Sequence, residues 1–217
     1  MAPGVGHSYR AYRRPGMSEA PVTRFTDRLR LEPVGPGHAH DLWVVHSDDE
    51  VVPWYDGWKP SFEEAQKQAD LMHHGWHELG VHKWMAYDRE SGELVGRGGL
   101  SRTPADDDWG RIYAFLPPEP WAREVQRASR GVPVHANWLE IGWALRRQFW
   151  GRGYASEIGR AGLDFAFDVL RMQAVVSCAA RHNTRSRAVM ERIGMPYAGV
   201  LEGIDGRDDL AVHALSR

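Results

Sequence analysis

The segment Gln148-Phe149-Trp150-Gly151-Arg152-Gly153 has the residue types and spacing of a loop that could hold an anion. Glycines let a backbone turn tightly and approach a ligand, and their N–H groups join the unpaired amides at the start of a following helix. The helix dipole adds partial positive charge at the same point. Arg146, Arg147 and Arg152 stand beside the glycines, and guanidinium groups form strong hydrogen bonds with phosphate oxygens. The segment therefore predicts a cradle for a phosphate-bearing ligand.

This loop differs from the two common nucleotide-binding loops. A dinucleotide fingerprint needs G-x-G-x-x-G and an acidic residue that closes the next strand. Here Tyr154, Ala155 and Ser156 follow Gly153, and the next predicted strand ends in Ala179-Ala180-Arg181. A P-loop needs Gly-Lys-Ser/Thr, which is also missing. The sequence argues against both, although a lone G-x-G also fits a plain strand-to-helix turn.

The loop needs neighbours that hold it in place, and the hydrophobic pattern supplies them. Residues 138–145 predict a strand before it, and 154–170 predict a helix after it. Residues 173–179 are apolar throughout, as a central strand is, and 185–193 predict a helix that stops before Gly194. The other predicted elements are strands 28–33, 82–88, 93–100, 197–201 and 210–214, helix 38–46, and a helix from the capping box Ser61–Glu64 to Leu79. This order predicts an α/β fold with a mixed central sheet.

Length and composition set the class of protein. The chain has 217 residues, 42% of them hydrophobic, which suits one domain with a full core. A formal charge of -2 argues against a general nucleic-acid partner. The single cysteine, Cys178, excludes an intrachain disulfide and fits a reducing compartment. Since no apolar run approaches the ~18 residues of a membrane span, we expect a cytoplasmic protein without a membrane partner.

Two stretches depart from the regular pattern. Residues 1–21 show no periodicity and predict a flexible tail, within which Met17 offers an alternative start; the domain would then occupy 22–217. Residues 102–137 predict an insertion with little sheet pattern, either a lid or acceptor-binding loop or a disordered loop. Its aromatic residues favour the lid: Trp109, Tyr113, Phe115 and Trp121.

Four segments together resemble a known family: Leu139-Glu140-Ile141-Gly142-Trp143, Gln148 to Ala155, Asn183-Thr184-Arg185-Ser186, and Met190 to Met195. They are similar to the GNAT acetyltransferase superfamily, nearest to the branch of the ribosomal-protein N-terminal acetyltransferases. The resemblance is strongest over 139–200, extends more loosely to 26–101, and leaves out the insertion and the first ~20 residues. It implies a single-domain GNAT fold with helices on both faces of the sheet. Two parallel strands, here 139–145 and 173–179, would splay apart.

The resemblance also implies a co-substrate, acetyl-CoA, and the residues that hold it. Backbone amides of one loop would bind its pyrophosphate: Gln148, Phe149, Trp150, Gly151, Arg152, Gly153, Tyr154 and Ala155. Trp143, Ala144 and Leu145 would pair with the pantetheine arm, whose amides can extend a sheet edge. Asn183 would bond the pantetheine end, and Arg187 would contact a phosphate or the adenine side. No metal is implied.

The implied reaction is direct attack of an amine on the thioester. It needs a deprotonated amine, stabilisation of the oxyanion and a proton for the leaving thiolate. Glu140 is the candidate base, directly or through water, although it would also fit a surface charge or an ion-pair partner. Many family members have a tyrosine as general acid where this chain has Met190, which cannot donate a proton. Ser186 could supply one through water; alternatively solvent does, and Ser186 only caps its helix or contacts pantetheine.

The acceptor stays open at this stage. A protein N-terminus or a small amine fits, as does an aminoglycoside- or metabolite-specific enzyme, or a non-catalytic acyl-CoA-binding regulatory module. The acidic groups Asp48-Asp49-Glu50 and Asp106-Asp107-Asp108 would favour a cationic amine if they lined the cleft. His73 and His77 have a spacing that can bind zinc, but no third ligand is evident. Monomer and homodimer are both compatible with the sequence.

Overall fold

The computed structural model describes residues 23–55, 57–102, 109–116, 138–203 and 209–217. The predicted tail over 1–21 lies outside these residues. So does most of the predicted insertion, including the candidate acidic group at 106–108. Within the insertion, a 3-10 helix at Trp109–Phe115 is described, and its Ile112 is buried against the sheet.

The described residues form twelve main elements. They are β1 (Arg24–Phe25), β2 (Leu29–Pro33), α1 (Ala39–His46), α2 (Phe62–Leu79), β3 (Lys83–Asp88), β4 (Leu94–Ser101), β5 (Trp138–Leu145), α3 (Tyr154–Asp164), β6 (Ala174–Ala180), α4 (Thr184–Arg192), β7 (Tyr197–Leu201) and β8 (Leu210–Ser216). The strands make one sheet in the order β1-β2-β3-β4-β5-β6-β8-β7. Adjacent strands in this sheet are antiparallel, except for β5 and β6, which are parallel. The predicted mixed sheet is confirmed.

Local sequence signals set the ends of the helices. The Ser61 hydroxyl accepts from the Glu64 amide at 3.2 Å, and the Glu64 carboxylate accepts from the Ser61 amide at 2.7 Å. Gly80 ends α2 in the left-handed conformation, with φ of 68°. The predicted helix 154–170 is α-helical only to Asp164 and continues as a π-helix over Phe165–Val169. Sequence periodicity could not show this wider turn, because it shifts the register by a single residue.

Helices cover both faces of the sheet, as predicted. Leu42 of α1 and Ala65 of α2 pack on the face that carries Met85 and Ala144; we call this the α1–α2 face. On the opposite, α3–α4 face, α3 and α4 pack against strand residues that include Leu139, Ile141 and Leu145. Side chains alternate along a strand. The α1–α2 face therefore receives Glu140 and Gly142 as well.

The parallel pair β5 and β6 separates part-way along its length. The strands pair through Trp138 and Ala174, Leu139 and Val175, and Glu140 and Val176. Beyond these pairs β5 continues beside β4 to Leu145, whereas β6 continues beside β8 to Ala180. We call this opening the strand gap. It is the predicted splay.

Helix α3 packs closely against β5 beside the gap. A Cβ added at Gly162 would lie 2.6 Å from Cδ1 of Ile141, and one added at Gly159 would lie 2.8 Å from Cδ1 of Ile193. A side chain at either position would force the isoleucine side chain to shift. Since α3 begins directly after the glycine-rich loop, this packing fixes the loop at the end of the gap.

Candidate active site

The loop over residues 146–153, which we call the cradle loop, presents free amides where it leads into α3. Gly151 and Gly153 have φ of 72° and 84°, a left-handed conformation that glycine adopts without steric cost. Among the described residues, no group accepts a hydrogen bond from the amides of residues 151–155. A Cβ added at Gly151 would meet nothing within 4 Å. Free amides, open space and a helix N-terminus together fit a bound phosphate group.

Three arginines lie beside these amides. The guanidinium of Arg152 lies 5.6 Å from the ring centroid of Phe149 and 5.4 Å from that of Tyr154. Arg185, in the first turn of α4, lies 5.1 Å from the ring centroid of Trp150. We did not predict Arg185, although it stands inside the Asn183-Thr184-Arg185-Ser186 segment. Arg28 is the third: it donates to the Arg152 carbonyl at 2.9 Å and pairs with Glu157 at 2.6 Å.

The other two predicted arginines have protein partners. Arg146 donates to the carbonyl of Leu94 at 3.3 Å. Arg147 lies 3.7 Å from the Glu50 carboxylate, and its backbone amide donates to Asp48 at 3.0 Å. The acidic residues Asp48 and Glu50 therefore hold the end of α1 against the cradle loop.

Side chains of the cradle loop divide into anchors and exposed groups. Phe149 and Tyr154 are buried in the core of the α3–α4 face. The amides of Phe149 and Trp150 already donate to the carbonyls of Arg146 and Arg147, at 3.0 Å and 3.1 Å, so only the Tyr154 amide of these three is left for a phosphate. Gln148 and Arg152 are exposed, and Ala155 is half-buried. The indole N–H of Trp150 donates to the Leu145 carbonyl at 2.6 Å and ties the loop to the end of β5.

The edge of β5 that faces the gap is partly free. The Ile141 carbonyl faces the gap, because it accepts from the Ser177 hydroxyl of β6 at 2.8 Å. Backbone groups alternate in direction along a strand, so the N–H and C=O of Trp143 also face the gap. Ala144 pairs with Arg97 of β4, and its backbone groups point that way. Trp143 is therefore the central residue of this open edge.

The start of α4 closes the far side of the gap. Asn183 caps the helix by accepting from the Ser186 amide at 3.0 Å, which leaves the side-chain N–H groups of Asn183 for another partner. Arg187 donates to the Arg181 carbonyl at 3.2 Å and lies over the Tyr197 ring, on the side of β7. Met190 is 1% exposed and belongs to the core of the α3–α4 face.

Three rows of paired residues cross the α1–α2 face beside the gap: Ser101, Glu140 and Val176; Lys83, Gly99 and Gly142; and Met85, Arg97 and Ala144. The row of Lys83 contains two glycines, so no side chain blocks the lysine as it crosses β4. Its ammonium donates to the Gly99 carbonyl at 2.9 Å. A Cβ added at Gly142 would lie 3.6 Å from it. The Lys83 ammonium therefore reaches the strand of Glu140, one row away.

Burial on this face disfavours the charged form of Lys83. Lys83 is 6% exposed, and burial lowers its pKa to about 8, opposed by the attraction of Glu140 and aided by the repulsion of Arg97. Arg97 donates from Nε to Nε2 of His46 at 3.2 Å and from Nη2 to the Tyr55 hydroxyl at 2.7 Å. We did not predict either cation. The available signals were a lysine at the start of an apolar strand and an arginine among the glycines of β4.

Comparison with known proteins decides the family. Residues 28–196 match the profile of the acetyltransferase (GNAT) domain. The chain belongs to the GNAT acetyltransferase family. YdaF of Bacillus subtilis (strain 168), provisionally named a ribosomal N-acetyltransferase, is 38% identical over 159 residues, which is 70% of this chain and 81% of YdaF.

Two further GNAT comparisons cover most of the chain. The FsC-acetyl coenzyme A-N(2)-transacetylase of Aspergillus fumigatus is 26% identical over 181 residues, 82% of this chain and 67% of that protein. The crystal structure of the acetyltransferase from Agrobacterium tumefaciens str. C58 superimposes with a TM-score of 0.64, at 23% identity, over 94% of this chain and all (100%) of that one. The predicted resemblance and the enzyme class are thus confirmed.

The residues of this GNAT protein that the structure describes also bear on metals and membranes. No group of three or more His, Cys, Asp or Glu side chains there could hold a metal ion. His73 and His77 contact each other, with ring centroids 4.4 Å apart. None of the described helices is long and apolar enough to cross a membrane.

The buried His46 should make the stability of this GNAT domain depend on pH. Burial, followed by the nearby charge of Arg97, lowers the pKa of His46 to about 3. Because the unfolded chain binds this proton near pH 6.5 and the folded chain does not, the free energy of unfolding should fall as the pH drops below about 6.5. Urea denaturation at about pH 7 and pH 4.5 should show a loss of roughly 2–3 kcal/mol from His46.

His46→Gln is the matched variant, because its amide oxygen can still accept from Arg97. It should lose that part of the pH dependence, while the part due to His82, whose pKa burial lowers to about 4, remains in both proteins. An unchanged difference between the two pH values would contradict the assignment to His46.

Proposed function

We propose that this GNAT enzyme uses acetyl-CoA to acetylate a primary amine, either a protein N-terminus or a small amine. The observation that carries the proposal is the continuity of the strand gap with the cradle loop. The free edge of Trp143 suits an extended chain that contains amides. Directly beyond it, the unpaired amides of residues 151–155 suit a diphosphate.

Different residues around the gap would bind different parts of acetyl-CoA. Trp143 would pair with the pantetheine arm through its backbone, flanked by Ala144 and Leu145, although the Leu145 carbonyl already has the Trp150 indole as a partner. The side-chain N–H groups of Asn183 would bond the same arm. Arg152 and Arg185 would face the phosphates. Arg187 would contact the adenine side, since its guanidinium lies toward β7.

Acetyl-CoA would supply the thioester, and Glu140 would accept the proton that the amine loses. Glu140 lies in the last residue pair before β5 and β6 separate, so its carboxylate borders the gap on the α1–α2 face. There it can accept a proton from the amine, directly or through water. Ser186, in the first turn of α4, remains a candidate that delivers a proton to the leaving group through water.

The names of the relatives support the amine class. The Aspergillus relative is named as an N(2)-transacetylase that uses acetyl coenzyme A, and YdaF is provisionally named for a ribosomal substrate. Both descriptions specify transfer to nitrogen. We further propose that residues 22–217 form one cytoplasmic domain, whose insertion at 102–137 contributes to the choice of acceptor.

The test measures release of free CoA thiol with a colorimetric thiol reagent. Acceptors should include a peptide with a free N-terminus, an aminoglycoside, a polyamine and a free amino acid, with an N-terminally acetylated, lysine-free peptide as the matched control. At least one amine should accelerate thiol release. Thermal stabilisation by acetyl-CoA without thiol release from any acceptor would instead indicate a binding module. Absence of stabilisation well above micromolar acetyl-CoA would refute the proposed cofactor.

Gly151 of the cradle loop should be required for tight binding of acetyl-CoA. Gly151→Ala and Gly194→Ala replace glycines with φ of 72° and 87°, and neither new Cβ would meet an atom within 4 Å. Both should lower the free energy of unfolding by about 1–2 kcal/mol, because alanine is strained in this conformation. Only Gly151→Ala should also weaken acetyl-CoA binding, by about tenfold or more, since its methyl group enters the phosphate space. Calorimetric titration checks this, and equal affinities for the two variants would contradict the placement of the phosphate.

A further inference from the structure

The resemblance to the family implies a tyrosine acid at one position of α4. Met190 occupies that position and is buried in the core of the α3–α4 face. A proton for the leaving thiolate must therefore come from another residue or from water. The described side chains beside the strand gap on the α1–α2 face include those of the three residue rows and the Cys178 thiol.

Within those rows, the Lys83 ammonium is the group that can donate a proton and reaches β5. Its side chain crosses the glycine row, donates to the Gly99 carbonyl at 2.9 Å and ends above Gly142. Gly142 immediately precedes Trp143, whose backbone groups face the gap. A thioester held along this edge would place its sulfur within the same part of the cleft.

We propose that Lys83 is the general acid of the acetyl transfer, donating a proton from Nζ to the sulfur of the leaving thiolate. The inference rests on the proposed function. The amine nitrogen forms a bond to the thioester carbon, and the carbon–sulfur bond breaks with its electron pair going to sulfur. Glu140 accepts the proton that the amine loses, and Lys83 gives one to sulfur.

The pair then returns to its starting state by a single proton transfer. Protonated Glu140 passes its proton to the neutral Lys83 amine, directly or through water, because the two residues occupy neighbouring rows of the same face. The proton lost by the amine thus ends on the thiol. No proton from bulk solvent is needed for a neutral amine and a thioester to become an amide and a thiol.

The charges around Lys83 suit this role. Glu140 attracts the ammonium, Arg97 repels it, and burial disfavours it, so that its pKa falls to about 8. This is close to the value of an ordinary thiol, near 8.5, whereas a serine hydroxyl is a far weaker acid. His46 and His82 also face this region, and burial holds the pKa of both low, so they are neutral near pH 7. Cys178 faces Glu140, and burial raises its pKa well above the ordinary value.

The test compares Lys83→Met and Lys83→Arg with the wild type under saturating acetyl-CoA and the best acceptor. Lys83→Met should lower kcat by about 10²–10³-fold, the range of a lost general acid, with acetyl-CoA affinity changed by less than about threefold. Lys83→Arg keeps the charge but donates no proton near neutral pH, so it should be as slow. Wild-type kcat should fall as the pH rises through about 8, and this basic limb should vanish in Lys83→Met.

Each outcome separates the two proposals. A wild type that releases no thiol with any amine would refute the proposed function itself. A Lys83→Met enzyme within about threefold of the wild-type kcat, or a Lys83→Arg enzyme with wild-type kcat, would leave the function standing and overturn the acid role. If the variants fail to fold, the wild-type profile decides, and a flat kcat from pH 7 to pH 9.5 overturns the proposal.

Discussion

Glu140→Gln should lower kcat by about 10²–10³-fold while the enzyme still binds acetyl-CoA with nearly wild-type affinity. The amide has the shape of the carboxylate but cannot accept a proton from the amine, and general-base catalysis contributes roughly this factor. Glu140 also lies one row from Lys83 and opposes the lowering of its pKa. In Glu140→Gln the basic limb of the kcat profile should therefore move to lower pH.

Two further variants make this expectation specific. Glu93→Gln, an exposed carboxylate before β4, is the matched control and should leave kcat within about twofold. Glu140→Asp keeps a base and should recover part of the rate, because the shorter side chain reaches the amine through an additional water. Full activity of Glu140→Gln with intact acetyl-CoA binding would show that Glu140 is only a strand-surface charge.

Lys83→Met should make the folded protein more stable, although we expect it to slow the enzyme. The pKa of Lys83 is about 8 in the folded chain and about 10.5 in the unfolded chain, so the unfolded chain holds this proton more tightly. The wild-type free energy of unfolding should therefore rise as the pH increases from about 8 to about 10.5. Removing the charge should raise that free energy by roughly 2–3 kcal/mol at pH 7, and by less than about 1 kcal/mol at pH 10.

Urea denaturation at these two pH values measures the effect. Lys67→Met is the matched control, because Lys67 is exposed on α2 beside Glu63 and carries no burial cost. If Lys83→Met is less stable than the wild type at pH 7, the hydrogen bond to Gly99 and the attraction of Glu140 outweigh the cost of burial. A gain in stability with a loss in rate is the usual mark of a residue kept for function.

The sequence predicted those parts of the fold that depend on short-range signals. Each of these signals involves residues only a few positions apart. Examples are the capping box at Ser61, the helix-ending Gly80 and the apolar strand at 173–179. The cradle loop follows the same rule, because its glycines and the adjoining helix start are contiguous. The resemblance to the GNAT family added the splay, which no local pattern indicates.

The arrangement of charged side chains on the α1–α2 face could not be predicted in the same way. The position of Lys83 over Gly142 requires three strands in one register, with glycine at two successive points of the row. The low pKa of His46 arises first from burial and then from Arg97, which follows it by 51 residues. Likewise Asp48 receives its amide partner from the cradle loop, far along the chain. Such features arise only when the sheet is assembled.

The separation of β5 from β6 has a mechanical consequence. On the α1–α2 face the core is in two parts: one includes Ala144, and the other includes Val176. On the opposite face a single core runs under both strands, with Ile141 and Val175 in the same cluster. The two halves of the sheet are thus joined along one face and divided along the other. A molecule inserted between them acts as the missing strand, so it should reduce the relative motion of the halves and slow hydrogen exchange at the Trp143 amide.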